Sequence, residues 1–530
     1  MKTLYYISLL FGVLLLQNCA QITAPTGGKA DTIAPKLDSN GTFPLNYSTN
    51  FSQDKIVLTF NEYFVLKNPT ANVFFSPSLE NDPEFITKGK TLTVLLNNEL
   101  KPNTTYTINF GDAISDYTVG NKIPDFKYVF STGEFIDSMS ASGIVIDALT
   151  GKATEDILVM LYDSFDDSIV SKSKPVYYAK SDKEGQFEIS YVKASKYKIV
   201  ALKDENRNFK YDLPNEKIGF MDSALNLLDT NSQTRMILRV FEKEHKKQSV
   251  IFKKYEYPGK LTLVFEKPVK DLKIFKSDNS ELTTDRILFS EKRDSVILWK
   301  PNLDSAKNVL SFQMDTTMES VSVYSFKKPR KDRGLRVTSY SKIIDIGNPF
   351  QLSFNRPIDH TDNLLINIFQ DSVAQKIDSI GVKDSKLLIY FNKIEDVSYR
   401  FQLFDKAATD IFNDFNQDTI TGYVNIRKSD FYGKFTLKLK SHEDSTNYII
   451  SLLDENDNVI QEKIVMGNSS VSFEKLSPGK YKIKAIEDAN NNGKWDTGNY
   501  YNRLSPESVF FFPAPIEIRS NWEVAESWEL

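Results

Sequence analysis

The chain has 530 residues, with 66 Lys and Arg against 70 Asp and Glu, a formal net charge of −4 and a single cysteine. Its basic and acidic residues are interleaved, so it carries no electrostatic footprint for nucleic acid, and one thiol excludes a disulfide framework. Hydrophobic residues make up 41% and aromatics 12%, enough for folded domains rather than a disordered stalk; a chain this long exceeds one core and suits about four or five.

The first element is an export signal: Lys2, then an apolar run from Leu4 to Leu16 that is too short to span a bilayer. Cys19 closes that run after Leu16-Gln17-Asn18. Leu16, three residues before the cysteine, resembles the lipobox of bacterial lipoproteins. In that family the segment is cleaved just before the cysteine, the sulfur takes diacylglycerol, and the new N-terminus is acylated with chains such as palmitate. Several fatty chains hold a protein on a membrane without a transmembrane helix. Asn18 departs from the small residue usual there, and the alternative is a secretory signal cleaved elsewhere. The resemblance implies a signal peptide over 1–18, lipidation at Cys19, and a polar tether over 19–34 that includes Pro25-Thr26-Gly27-Gly28. The mature chain then has no other cysteine and holds together without disulfides.

Beyond the tether the pattern is all-β. Ile56–Phe60, Thr91–Leu95, Tyr106–Phe110 and Tyr128–Phe130 are short runs of β-branched and aromatic residues, separated by turn clusters such as Lys67-Asn68-Pro69 and Asn97-Asn98. No long segment has a helical period, so helices are expected to be few and short. Leu100-Lys101-Pro102-Asn103-Thr104-Thr105-Tyr106 resembles the tyrosine corner of immunoglobulin-like sandwiches, with Tyr106 as the marker. The stretch 35–133 resembles the bacterial Ig-like domain described in surface-layer proteins. Its matching pieces are Ile56–Glu62, the Tyr106 strand, Phe110–Asp116 and Phe130–Gly133.

Fainter copies follow at 248–328, marked by Leu261–Pro268 and Ser295–Trp299, and at 334–427, marked by Phe350–Pro357 and Leu387–Phe391. In the latter, Phe404–Asp410 parallels Phe110–Asp116. The basic stretch Lys327–Gly334 reads as a solvated linker between them. A second type of module occurs at 139–240 and 429–530: Lys196–Asp204 recurs as Lys480–Asp488, each continuing through an Asn-rich loop. These two resemble the transthyretin-like or carboxypeptidase-regulatory sandwich. The predicted architecture is therefore five β-sandwiches in tandem, with two unlike modules each duplicated.

The Asn-rich loops are the one ligand-like constellation. Asp488, Asn490, Asn492 and Asp496, with Gly493, follow the early part of a calcium-loop pattern, because a hard cation wants closely spaced oxygens on a tightly turning backbone. Asp204, Asn206, Asn208 and Asp212 repeat the oxygens, but Phe209 stands where glycine belongs. Asn215 and Asn499 occupy the position of the bidentate Glu, with Glu216 one residue further on. Calcium is the cofactor these loops suggest; the competing reading is that Asp and Asn are turn formers satisfying their own backbone.

No catalytic motif is present: GxSxG, HExxH, P-loop and GxGxxG are all missing, and His245, His360 and His442 are scattered beside charged residues. A pair of acids suffices for glycoside hydrolysis, yet small modules of this kind predict no groove, so the chain reads as no enzyme. Asp-Ser/Thr followed by an apolar residue, as in Asp294-Ser295-Val296, Asp371-Ser372-Val373 and Asp418-Thr419-Ile420, resembles the O-glycosylation acceptor of Bacteroidota and is equally a turn preceding a strand. The whole chain, including Pro25–Thr32, resembles the Ig-like-domain lipoproteins of that phylum. That implies an outer-membrane location through the lipid anchor, facing the cell surface. The leading role is an accessory subunit of an outer-membrane complex such as the barrel-assembly machinery. The rival is a glycan- or ligand-binding surface protein, calcium-assisted, with Trp495, Tyr500 and Tyr501 available to stack on sugars. Ala20-Gln21-Ile22-Thr23 lacks the acidic residues that often follow the cysteine in surface-exposed relatives, which leaves the periplasmic face open.

Overall fold

The computed structural model describes residues 31–228, 235–244, 248–303, 307–324, 334–441 and 445–530. Cys19, the leader to Ala30, His245, His442 and the basic stretch up to Arg333 lie outside them. The described residues are almost all strand and turn, and no helix among them is long and apolar enough to cross a membrane. Two compact units divide the chain: residues 1–242 with 499–504, and residues 243–498 with 505–530.

In the first unit, one core lies between residues 51 and 130. Thr91–Leu95 pairs antiparallel with Lys55–Thr59 on one side and Glu84–Lys88 on the other, and alternate side chains (Ile56, Leu58, Leu92, Val94) are buried. Opposite them Phe74–Ser76, Thr105–Gly111 and Phe126–Ser131 form a second sheet that supplies Tyr106, Ile108, Phe110, Tyr128 and Phe130. Period-2 alternation is what a strand with one buried face requires. A second core spans 141–240. There Leu158–Tyr162, Tyr177–Lys180, Lys196–Leu202 and Lys217–Phe220 pair antiparallel. Met139–Asp147 runs between Gln186–Val192 (antiparallel) and Met236–Glu242 (parallel). The parallel contact is close: a Cβ on Gly143 would stand 2.3 Å from the carbonyl oxygen of Met236.

The second unit holds three cores, over 261–323, 335–426 and 435–528. The last repeats the strand pairings of the 141–240 core except one, the pairing of Lys217–Phe220 with Met236–Glu242 that joins the earlier module into a single sheet. Asn447–Leu453 lies between Val459–Met466 and Gly479–Asp488, and Gly433–Lys440 pairs parallel with the final strand, Glu523–Glu529. Even the minor pairings agree: Tyr197 faces Leu225, and Tyr481 faces Ile516. In the 335–426 core, Arg356 is buried and donates to Asp410, itself fully buried, at 3.1 Å and to Asp414 at 2.6 Å.

Candidate functional site

The strands Lys196–Leu202 and Gly479–Asp488 each deliver an Asn-rich loop, and the two loops close in the same way. Asp204 accepts backbone N–H bonds from Asn208 (3.2 Å) and Phe209 (2.8 Å). Asp488 accepts those of Asn492 (3.0 Å) and Gly493 (2.8 Å). The side-chain oxygens of Asn206 and Asn208 take the N–H groups of Asn208 and Lys210; those of Asn490 and Asn492 take Asn492 and Lys494. Across each loop the amide nitrogens donate to the last Asp. Asn206 and Asn208 reach Asp212 at 3.0 and 2.6 Å, and Asn490 and Asn492 both reach Asp496.

A glutamate behind each loop completes it. Glu216, fully buried, accepts the N–H groups of Glu205, Asp212 and Leu213. Glu507 accepts those of Ala489 (3.0 Å) and Asp496 (2.9 Å). Burial, with the Asp496 and Asp488 carboxylates nearby, pushes the Glu507 carboxyl up against the pull of those two bonds. Burial also opposes ionisation of Asp496, but hydrogen bonds from Asn490, Lys494 and Asn492 prevail and hold it below the usual range.

The side chains whose spacing suggests calcium bond one another and the loop backbone. Amide nitrogens, not oxygens, face the last Asp, and both oxygens of each Glu already take backbone N–H groups. Among the described residues no group of three or more His, Cys, Asp or Glu is placed to hold a metal ion. In this arrangement the Asp, Asn and Glu side chains bracket the turns. Phe209 holds a left-handed φ of 62°, matching the 76° of Gly493, and its ring packs edge-on to Tyr178 at 4.9 Å. Tyr178 in turn meets Phe74 of the preceding module at 5.8 Å.

Four tyrosines anchor corners. The hydroxyl of Tyr106 accepts the N–H of Lys101 at 2.8 Å, and that of Tyr399 accepts the N–H of Ile394 at 3.0 Å, both five residues upstream. In the duplicated modules Tyr197 and Tyr481 instead donate to the carbonyls of Lys193 and Ser477, four residues upstream. The expectation that no groove exists fails in the first unit, because grooves form where modules meet. A cleft of about 290 Å³ there is lined by Phe74, Phe85, Lys174, Tyr178, Arg207 and Phe209. Another, of about 660 Å³, is lined by charged groups including Asp125, Lys127, Lys180, Glu188 and Arg235.

Residues 31–132 match a model of the bacterial Ig-like domain. The first core is a bacterial Ig-like domain, and the chain is a tandem β-sandwich protein. No curated protein matches the sequence. Among solved structures it is similar to the major pilin subunit BcpA of Bacillus cereus (10% identity, 74% of this chain and 99% of that one, TM-score 0.15). Others are the surface-layer protein SbsC, domains 1–6 (10%, 87% and 66%, TM-score 0.14), and the TIE protein of Bacillus anthracis (9%, 95% and 75%, TM-score 0.15). Scores this low carry no argument; the sheets and the family match carry the fold.

The remaining sequence candidates are dispersed. His360 is exposed beside Asp359. Tyr500 is buried, the indole N–H of Trp495 donates to the carbonyl of Glu507 at 3.1 Å, and Tyr501 stays exposed. Ser372 and Thr419 are exposed at turns before strands, while Ser295 is half-buried.

Proposed function

We propose that this chain is a non-enzymatic lipoprotein of the outer membrane that serves as an interaction subunit of an outer-membrane protein complex, with the barrel-assembly machinery the first candidate. The reading is supported above all by the way the polar chemistry of the described residues is spent. Asp, Asn, Glu and Tyr side chains close turns and corners, and aromatic rings fasten one module to the next. Within the second unit Phe412 meets Trp299 edge-on at 6.3 Å, and Tyr432 donates to Asp345 at 2.9 Å. Ig-like modules of this kind present structural and interaction surface, and fastened modules hold that surface in fixed geometry. Lipid at Cys19 supplies the location.

Affinity purification of the chain from its native membrane tests the role. Stoichiometric recovery of an outer-membrane barrel is expected, and a solitary protein that retains polysaccharide would replace this reading with the glycan-binding one. A Cys19→Ala variant is expected to leave the membrane fraction; if it stays, the anchor is wrong.

A further inference from the structure

Two equivalent loops are built alike and covered differently. In the first Ig-like module the segment Phe110–Asp116 ends in a buried Asp, and the Ala113 N–H donates to the Phe110 carbonyl. Phe404–Asp410 repeats this, with Ala407 donating to Phe404 and Asp410 buried. Each Asp then gathers the N–H groups of the loop that follows. Asp410 takes Phe412 (2.8 Å) and Asp414 (2.9 Å). Asp116 takes Thr118 (2.8 Å), Val119 (2.6 Å), Gly120 (3.1 Å) and Asn121 (2.7 Å), and these bonds, led by Val119, hold its carboxyl far below the usual range. Both loops are therefore preorganised.

The loop at 411–414 is covered by the module that precedes it in the chain: Phe412 lies against Trp299, and the Lys300 ammonium bonds the Ile411 carbonyl and sits 5.0 Å from the Phe412 ring. At 117–121 the same position is open. Tyr117 is 74% exposed and Val119 57%, and they adjoin Tyr63 (62%) and Ile33 (59%). The group is tied together, since Tyr117 N–H donates to the Tyr63 carbonyl, and the Asn121 side-chain amide donates to the carbonyls of Asp31 and Ile33. What precedes this module is the tether. Asp31 stands twelve residues after Cys19, a length that spans at most about 40 Å fully extended. The strand Phe126–Ser131 carries the chain onward to the other end of the sandwich, where Ser131 pairs with Thr105.

We propose that Ile33, Tyr63, Tyr117 and Val119 seat on the lipid bilayer, so that the membrane takes the place on the first module that a neighbouring module takes on the third Ig-like one. The inference rests on the reading of Cys19 as the lipidated residue. Exposed apolar residues grouped in one patch mark an interaction site, and Tyr is suited to the headgroup boundary because its ring is apolar and its hydroxyl polar. Attraction is not driven by net charge. Exposed Lys36, Lys90 and Lys122 are offset by Asp31, Glu62 and Asp112; Lys122 pairs with Asp112 at 3.2 Å, and Lys90 bonds the Asn61 carbonyl.

The test uses the full chain purified from membranes with a Val119→Cys substitution, and a Lys101→Cys control at the opposite end of the same module. An acylated Cys19 has no free sulfur, so each variant presents one thiol for an environment-sensitive fluorophore. The mass of the N-terminal peptide reports the anchor separately: an unmodified Cys19 sinks that reading alone, and each variant is then remade with Cys19→Ala, so that it again presents one thiol, labelled, and added to the vesicles from outside. In vesicles of phosphatidylethanolamine and phosphatidylglycerol, the label at 119 is expected to shift its emission to the blue and to be quenched by brominated acyl chains, while the label at 101 does neither. Water-like, unquenched emission at 119 from vesicle-bound protein overturns the inference and assigns the patch to a protein partner or a second copy. Failure of an unlipidated chain to bind the vesicles overturns it as well.

Discussion

Replacing Arg356 with Met should open the module built on the 335–426 core and leave the others closed. The guanidinium is 3% exposed and Asp410 is fully buried, so truncation strands a carboxylate in the core with two backbone N–H groups as its remaining partners. Removing one member of such a pair costs about 3–5 kcal/mol. Asp414 is half exposed and adds little, because water replaces the lost partner. The cost should therefore fall near the lower figure, about 3 kcal/mol, or roughly a hundredfold in the local opening constant. Hydrogen exchange by mass spectrometry on the full chain reads this module by module. Amides of Phe350–Phe354 and Lys386–Phe391 should lose about two orders of magnitude of protection, with Leu158–Tyr162 unchanged. Arg356→Met combined with Asp410→Asn should regain most of it, since the pair is coupled. Unchanged protection in the single variant, or a double variant as weak as the single one, would refute the reasoning.

Tyr106→Phe and Tyr399→Phe each leave a backbone N–H without its partner, at Lys101 and Ile394, and should lower module stability by about 1–2 kcal/mol in urea unfolding; a loss under about 0.3 kcal/mol would show that water substitutes freely. Gly143→Ala drives a Cβ into the Met236 carbonyl and should cost about 3 kcal/mol or more by separating the parallel strands, visible as faster exchange in Met139–Asp147 and Met236–Glu242. Glu507 should titrate above the ordinary glutamate value of about 4.3 in a carboxyl carbon NMR experiment. A folded pKa raised for an acid means that its contribution to stability is complete below the unfolded pKa and is lost as pH rises through the folded one. Glu507→Gln should flatten that part of the pH profile of the C-terminal module, and a midpoint at or below 4.3 would count against burial as the cause.

The sandwich class was readable because one-sided burial writes alternation directly into the sequence, as in Ile56-Val57-Leu58 and Thr91–Leu95. Tyr106 stood out through its Leu-x-Pro flank. Tyr399 makes the same corner from Ile394-Glu395-Asp396-Val397-Ser398, where no proline signals it and only the five-residue spacing survives. The loop oxygens were legible as a pattern but their partners were not. Glu507 lies nineteen residues beyond Asp488, a separation set by the intervening chain rather than by any local rule. The clefts escaped for a related reason: Phe74, Tyr178 and Phe209 come from distant segments, and each alone looks like an ordinary core or turn residue. Parallel pairing of Gly433–Lys440 with Glu523–Glu529 is equally non-local.

Phe209 sets the module at 139–240 apart from the one at 429–530, where Gly493 stands in the same place. A bulky residue in left-handed backbone costs about 1–2 kcal/mol where glycine costs nothing, yet here the ring closes against Tyr178. The module at 139–240 thus has a packed turn where the module at 429–530 has a glycine turn. Its counterpart has Gly493 at this position, whereas here Phe209 packs on Tyr178, which itself meets Phe74 of the first module. Three rings in a row, Phe74, Tyr178 and Phe209, thus run from the first module into the second, and a chain assembled with these modules permuted would lose the Phe74–Tyr178 contact that no linker could restore.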